Sequence, residues 1–188
     1  MKLFDREKIE SAVLSILAAI GEDSNRAGLL DTPKRVARTY EEFFSGVNQD
    51  PLVVLTTGFE EKGADVVVFK EIPFFSVCEH HLLPFHGVAS IGYIPVDRVV
   101  GASKVGRALD ILARRPQIQE RLTGQLVDTV FTAIKPEGVV VVLSAEHMCM
   151  SLRGVRKPGS KIVTTGSRGN SSVIDGLKKD FHELLGNG

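Results

Sequence analysis

Apolar residues recur at helical spacing near the start of the chain, at Ile9, Val13, Ile16, Leu17 and Ile20, so one face of a helix there is apolar. Asp5 stands where an N-cap would and Gly21 where the helix would stop, which predicts a first helix between them. A second opens at Asp31-Thr32-Pro33, a capping residue ahead of a proline suited to the first turn. It carries Val36, Tyr40, Phe43 and Phe44 on one stripe and ends at Gly46. Residues 47–65 read as a polar, glycine-containing connection. The pattern predicts a helical arm over residues 1–50 and a main domain over residues 51–188.

In the main domain the period changes. Val66 to Phe69 and Val88 to Ile94 read as strands, with Cys78-Glu79-His80-His81 in the loop between them. A helical pattern starts at Ser103 and carries Val105, Ala108, Leu109 and Leu112. After Pro116 another carries Ile118, Leu122, Leu126, Val130 and Ile134. Pro136-Glu137-Gly138 is a turn, and Val139 to Leu143 is a buried strand expected to run on toward Arg153. A strand near Ile162 to Thr165 and a last helix with Ile174, Leu177, Phe181 and Leu184 complete the chain. Strands, helices and strands in that order predict an α+β fold on a largely antiparallel sheet.

Composition narrows the partners. Lysine plus arginine and aspartate plus glutamate number 23 each, so no global field favours nucleic acid or a membrane surface. Affinity for a phosphorylated ligand must then come from a local basic cluster. The run Ala12 to Ile20 follows Lys2, Arg6 and Lys8 but is interrupted by Ser15 and has helical periodicity, which reads as an amphipathic helix rather than an export signal. A soluble cytoplasmic protein, with its two cysteines reduced, is the expectation.

Cys78, Glu79, His80 and His81 set a thiol and two imidazoles within four residues. A Cys-x-x-His spacing lets one turn of loop bring sulfur and nitrogen to one zinc ion. Further donors must come from elsewhere, and the segment Glu146 to Arg153 offers them. As a strand it would put His147, Cys149, Ser151 and Arg153 on one face and Met148, Met150 and Leu152 on the other. Cys78, His81 and Cys149 would then make a three-ligand site open to water, the arrangement of catalytic zinc. His80 and His147 would stand beside it for proton transfer. A closed structural site with His80 or His147 as fourth ligand, a Cys78–Cys149 disulfide and histidines that are only satisfied polar residues are the competing readings. Ser103, Lys104 and Arg107 at a helix start could hold phosphate, and Glu120 could accept two hydrogen bonds from the N1–H and N2 edge of guanine. Either segment alone is also an ordinary solvated helix face.

Taken together, five segments in order resemble the GTP cyclohydrolase I family: Thr32-Pro33-Lys34-Arg35-Val36-Ala37-Arg38, Ser76 to His81, Gly101 to Lys104, Arg115 to Thr123, and Glu146 to Met150 with Arg153-Gly154-Val155-Arg156. The resemblance implies the tunnelling fold, an antiparallel sheet with packed helices that closes a barrel across subunits of a homodecamer, with active sites at subunit interfaces. It implies Cys78, His81 and Cys149 as zinc ligands, and His80 and His147, helped by Ser103, as acid–base groups. Gln119 and Glu120 would hold the guanine edge, and Lys104, Arg107 and Arg153 the triphosphate and ribose. Arg35 would come from a neighbouring subunit.

The implied reaction is zinc-dependent hydrolysis of GTP at guanine C8 with loss of formate, then ribose rearrangement and closure to 7,8-dihydroneopterin triphosphate, the entry to pterin and tetrahydrofolate synthesis. Ala102, Val88 and residues 166–171 depart from the family's usual pattern. A nitrile reductase of the same fold would need a cysteine nucleophile and a nicotinamide, not two cysteines and a histidine grouped for metal. A non-catalytic zinc module would leave Ser103, Lys104, Arg107, Gln119 and Glu120 without a task.

Overall fold

The computed structural model describes residues 4–56, 58–60 and 65–186. Helix α1 (Arg6–Ala19) begins where expected, with the Asp5 carboxylate accepting from the Lys8 N–H at 3.0 Å. Helix α2 (Thr32–Phe43) has its proline in the first turn, but Asp31 does not cap it. That carboxylate lies 3.5 Å from Arg35 Nη2 instead. The two helices pack on each other and reach the rest of the chain through residues 42–49. Gly46 N donates to Arg114 O, and the Arg115 guanidinium donates to Gly46 O and Gln49 O. A Cβ at Gly46 would stand 2.0 Å from Ile111 O, so only glycine permits that approach. Of the expected connection, residues 57 and 61–64 lie outside the described residues; the remainder holds a 3-10 turn (Val53–Thr56) and strand β1 (Gly58–Glu60).

Strand β2 (Val67–Cys78) runs far beyond the Val66–Phe69 segment read from the sequence, and β3 (Pro84–Ile94) starts four residues earlier than expected. The extension was hidden because Lys70-Glu71 breaks the apolar run and Pro73 argues against a strand. Both are accommodated: the ladder shifts register between Phe69 and Ile72, with Glu71 at φ 52°. Pro73 stands on an edge, since β5 (Pro116–Gln117) joins β2 only at Val77 and Cys78. Between them come β4 (Arg98–Val100), which pairs with β1, and helix α3 (Ala102–Ala113). Gly101 is the N-cap of α3, so the helix starts at Ala102, one residue ahead of the Ser103 start expected. Helix α4 (Gln119–Ile134) and strand β6 (Gly138–His147) follow, then a single turn α5 (Met148–Ser151), strand β7 (Lys161–Gly169) and helix α6 (Ser171–Gly186).

The main sheet has the order β5-β2-β3-β6-β7, antiparallel except for the short β2–β5 pair. The fold is α+β, as the alternation of patterns implied. Phe85, Ala89, Ile91 and Tyr93 of β3, with Val139, Val141, Leu143 and Ala145 of β6, face α3 and α4 in the main core. On the reverse face Val140 packs with Leu177 and Phe181 of α6.

Strand β6 does not continue to Arg153. Its last partner across β3 is Phe85, opposite His147, and β7 pairs with it only as far as Glu146. Beyond His147 the backbone has no neighbour to complete a ladder, and it satisfies its hydrogen bonds by coiling into α5, where Leu152 N donates to Met148 O. The shared strand face for His147, Cys149, Ser151 and Arg153 therefore does not exist.

Candidate metal centre and catalytic cleft

Three chain segments meet at the open end of the sheet. The first is the loop from β2 to β3, wound tightly on Cys78: its carbonyl accepts from Leu82 N at 2.9 Å and its N–H donates to Leu83 O at 2.9 Å. Leu82 takes φ 53° to close the turn. Glu79 N donates to Gln117 O, and its carboxylate is gripped by both terminal nitrogens of Arg121 on α4, at 2.5 and 2.8 Å. The second segment is the N-terminal turn of α4, with Gln119 and Glu120. The third is the end of β6, where His147 continues the inward period of Val139, Val141, Leu143 and Ala145, followed by Cys149 on α5.

The donor atoms of Cys78, His81 and Cys149 all lie within 4.8 Å of one another. Cys78 Sγ is 3.9 Å from His81 Nδ1 and 3.9 Å from His80 Nδ1. Burial raises the Cys149 thiol pKa, and the neighbouring Cys78 sulfur adds to that shift. Two sulfurs in contact are a poor place for negative charge until a cation is present.

The wall beside them is a cleft of about 180 Å³ lined by Cys78, His80, Glu120, His147 and Cys149 among others. The His147 imidazole stacks on Phe85, with centroids 4.5 Å apart and planes 5° from parallel. Its Nε2 lies 2.8 Å from Gln119 Oε1. Burial holds the His147 pKa below its ordinary value, while the Glu120 carboxylate pulls the other way. The Gln117 Oε1 is buried with no hydrogen-bond partner among the described residues.

The remaining candidates divide. Arg153 reaches the cluster from the exposed stretch after α5, with its Nη1 3.1 Å from His81 Nε2. That stretch is held by Glu146, whose carboxylate accepts from Ser151 Oγ at 2.5 Å and Gly159 N at 2.9 Å. Ser103, Lys104, Arg107 and Arg35 do not line the cysteine–histidine cleft. Arg107 borders a different one with Gln49, Asp110 and Arg114, and Arg35 is on the exposed side of α2 beside Asp31. Gln119 is 1% exposed, and its amide is engaged inside the protein, on Leu143 O, Ile162 O and Thr164 Oγ1 as well as His147. Both polar atoms of that side chain therefore have partners within the protein. Phe85, Arg121 and Thr164 escaped the sequence reading, because each acts across a pairing tens of residues distant that no local pattern encodes.

The model of the family described as GTP cyclohydrolase I matches residues 9–185. Among curated relatives, a GTP cyclohydrolase 1 of Streptococcus mutans serotype c is 56% identical over 166 residues, 88% of this chain and 86% of that one. One from Dehalococcoides mccartyi is 51% identical over 185 residues, 97% of this chain and 98% of that one. One from Lysinibacillus sphaericus is 55% identical over 170 residues, 90% of each. Among solved structures, the archaeosine synthase QueF-Like in its apo form is similar at 20% identity and TM-score 0.45, covering 58% of this chain and 98% of that one.

Proposed function

The chain belongs to the GTP cyclohydrolase I family, and from that premise we propose that it opens the imidazole ring of GTP at C8 on a zinc ion held by Cys78, His81 and Cys149. The products are formate and, after rearrangement of the ribose and ring closure, 7,8-dihydroneopterin triphosphate. The observation that carries the proposal is that Cys78 and Cys149, grouped with His81 as possible metal donors, line one cleft with His147 and Glu120.

The donor set fits the ion. Two thiols and an imidazole are ligands zinc prefers, and bond lengths of about 2.3 Å to sulfur and about 2.0 Å to nitrogen give tetrahedral edges of about 3.5–3.8 Å. The Cys78 Sγ to His81 Nδ1 separation is 3.9 Å, so closing on zinc asks for little movement. Three protein donors leave a position open, the mark of catalytic sites. Zinc bound there supplies a Lewis acid and a water acidified toward pKa about 7.

The chain's own groups supply the rest. Glu120, on the first turn of α4, accepts the N1–H and N2–H of guanine and so sets the ring against the metal donors. His147 takes up a proton at its free ring nitrogen as water adds to C8 and passes it to the departing ring nitrogen, and its lowered pKa eases that second transfer. His80, exposed next to Cys78, carries protons in the later ribose steps, helped by the Ser103 that a neighbouring copy brings to the cleft. A cleft of about 180 Å³ is below the roughly 300 Å³ that a whole nucleotide-sized ligand needs, so it receives the base while ribose and phosphates lie outside. Arg153, beside His81, is the phosphate contact nearest the metal donors.

Ser103, Lys104, Arg107 and Arg35 are presented elsewhere on the same chain. That distribution supports a homo-oligomer, a decamer on the family's pattern, in which a neighbouring copy completes the phosphate side and Arg35 acts across the interface. Residues 1–50 then serve as an arm and residues 51–188 as the catalytic unit. Both cysteines are free thiols, which suits the reducing cytoplasm. Among the described residues no helix is long and apolar enough to cross a membrane.

The test is metal removal. Purified protein should carry about one zinc per chain, lose GTP turnover when the zinc is stripped by a chelator, and regain it on zinc addition. Turnover that survives complete stripping overturns the proposal.

A further inference from the structure

We infer that Gln119 is a positioning residue: its side-chain amide holds His147 in the Nε2–H tautomer, so that Nδ1 is the nitrogen that meets the substrate. This rests on the reading that His147 exchanges a proton with GTP, and it replaces a guanine contact as the task of this side chain.

The direction of each hydrogen bond follows from chemistry. Gln119 Nε2 lies 3.1 Å from Leu143 O and 2.9 Å from Ile162 O. Two carbonyl oxygens can only accept, so the atom facing them must be the amide nitrogen, and a flipped amide would set three oxygens together. Oε1 therefore faces His147, and at 2.8 Å it can only accept. His147 Nε2 must then carry a hydrogen, which in the neutral ring leaves the lone pair on Nδ1.

The amide is itself locked. Thr164 Oγ1 stands 3.0 Å from Gln119 Nε2 and 2.7 Å from Thr123 Oγ1. Thr123 donates to Gln119 O at 2.9 Å, so its hydroxyl hydrogen is spent, and Thr164 must donate to Thr123. Gln119 Nε2 shares its two hydrogens among Leu143 O, Ile162 O and Thr164 Oγ1, and the donors then run from Thr164 to Thr123 and close on the backbone carbonyl of Gln119. Phe85 fixes the plane of the imidazole by stacking, which leaves rotation of the ring as the freedom that Gln119 removes. The network draws on α4, β6 and β7, so the fold itself sets which nitrogen faces the cleft. A hydrogen-bond acceptor on the far ring nitrogen selects the tautomer of a working histidine in this way.

The experiment uses zinc-loaded protein labelled with ¹⁵N-histidine, with His147 resonances identified by their loss in His147→Asn. The expected spectrum has Nε2 protonated and Nδ1 not. Gln119→Met, which keeps the volume and removes the acceptor, should mix the tautomers and lower kcat by about 10²-fold with KM within about threefold. Thr164→Val, on the exterior strand and with Gln119 intact, should shift the tautomer balance the same way with a smaller loss of kcat. If Gln119→Met does not fold, Thr164→Val decides. A wild-type His147 protonated on Nδ1 overturns the inference, as does a Gln119→Met enzyme whose kcat is kept while KM rises. The spectrum is read without turnover, so failure of the GTP reading would leave this test standing.

Discussion

Cys149→Ala should leave the protein folded, without bound zinc and at least about 10³-fold less active on GTP, since a lost metal forfeits several kcal/mol of transition-state stabilisation. Cys149 is the better of the two cysteines to change. Cys78 is buried at the end of β2, in the main core cluster, so its removal would disturb packing as well as coordination. Cys149 is only partly buried on α5, and that turn is held by other groups. Lys157 N donates to Met150 O, and Glu146 binds Ser151 and Gly159. The metal-free variant should therefore melt close to the metal-free wild type, while zinc titration finds no site of comparable affinity. Zinc binding that persists at wild-type affinity in Cys149→Ala would mean that the donors are Cys78 and the two adjacent histidines.

His147→Ala should have the opposite profile: zinc retained, and kcat down about 10²–10⁴-fold, the range for loss of a general acid–base group. Zinc retention follows because His147 is absent from the donor cluster and its Nε2 is committed to Gln119. Some stability is lost too. The buried ring leaves a gap beside Phe85, and Gln119 Oε1 is left without a donor, a cost of about 1–3 kcal/mol. Activity must accordingly be compared well below the melting transition. A variant that loses zinc along with activity would make His147 a fourth ligand and the site a closed, structural one.

The parts of this site that were legible in the sequence are those in which one short segment carries the information. Cys78-x-x-His81 is a loop spacing, and it brought Sγ within 3.9 Å of Nδ1. His147 follows from alternation along β6, whose inward residues lead to it in steps of two. Cys149 was reached by extending that alternation too far. It joins the cluster because the chain, out of strand partners, coils at Met148, and nothing local marks where β3 and β7 cease to pair. The long β2 was obscured by Lys70, Glu71 and Pro73, whose tolerance depends on a register shift and a free edge that only the assembled sheet reveals. Gln119 reads as an exposed helix-start polar residue until β7 is laid across α4, when it becomes one of the most buried polar groups of the chain. Pairings such as Glu79 with Arg121 or Phe85 with His147 are properties of the tertiary structure alone.

The most direct measurement is an anaerobic incubation of zinc-loaded protein with GTP, following formate release and, after oxidation, pterin fluorescence in the same sample. Both products should form in equal amounts, with formate appearing no later than the pterin. Protein that carries its zinc in full and yields neither product contradicts the proposed function, and leaves the Cys78–His81–Cys149 cluster as a metal site without this chemistry.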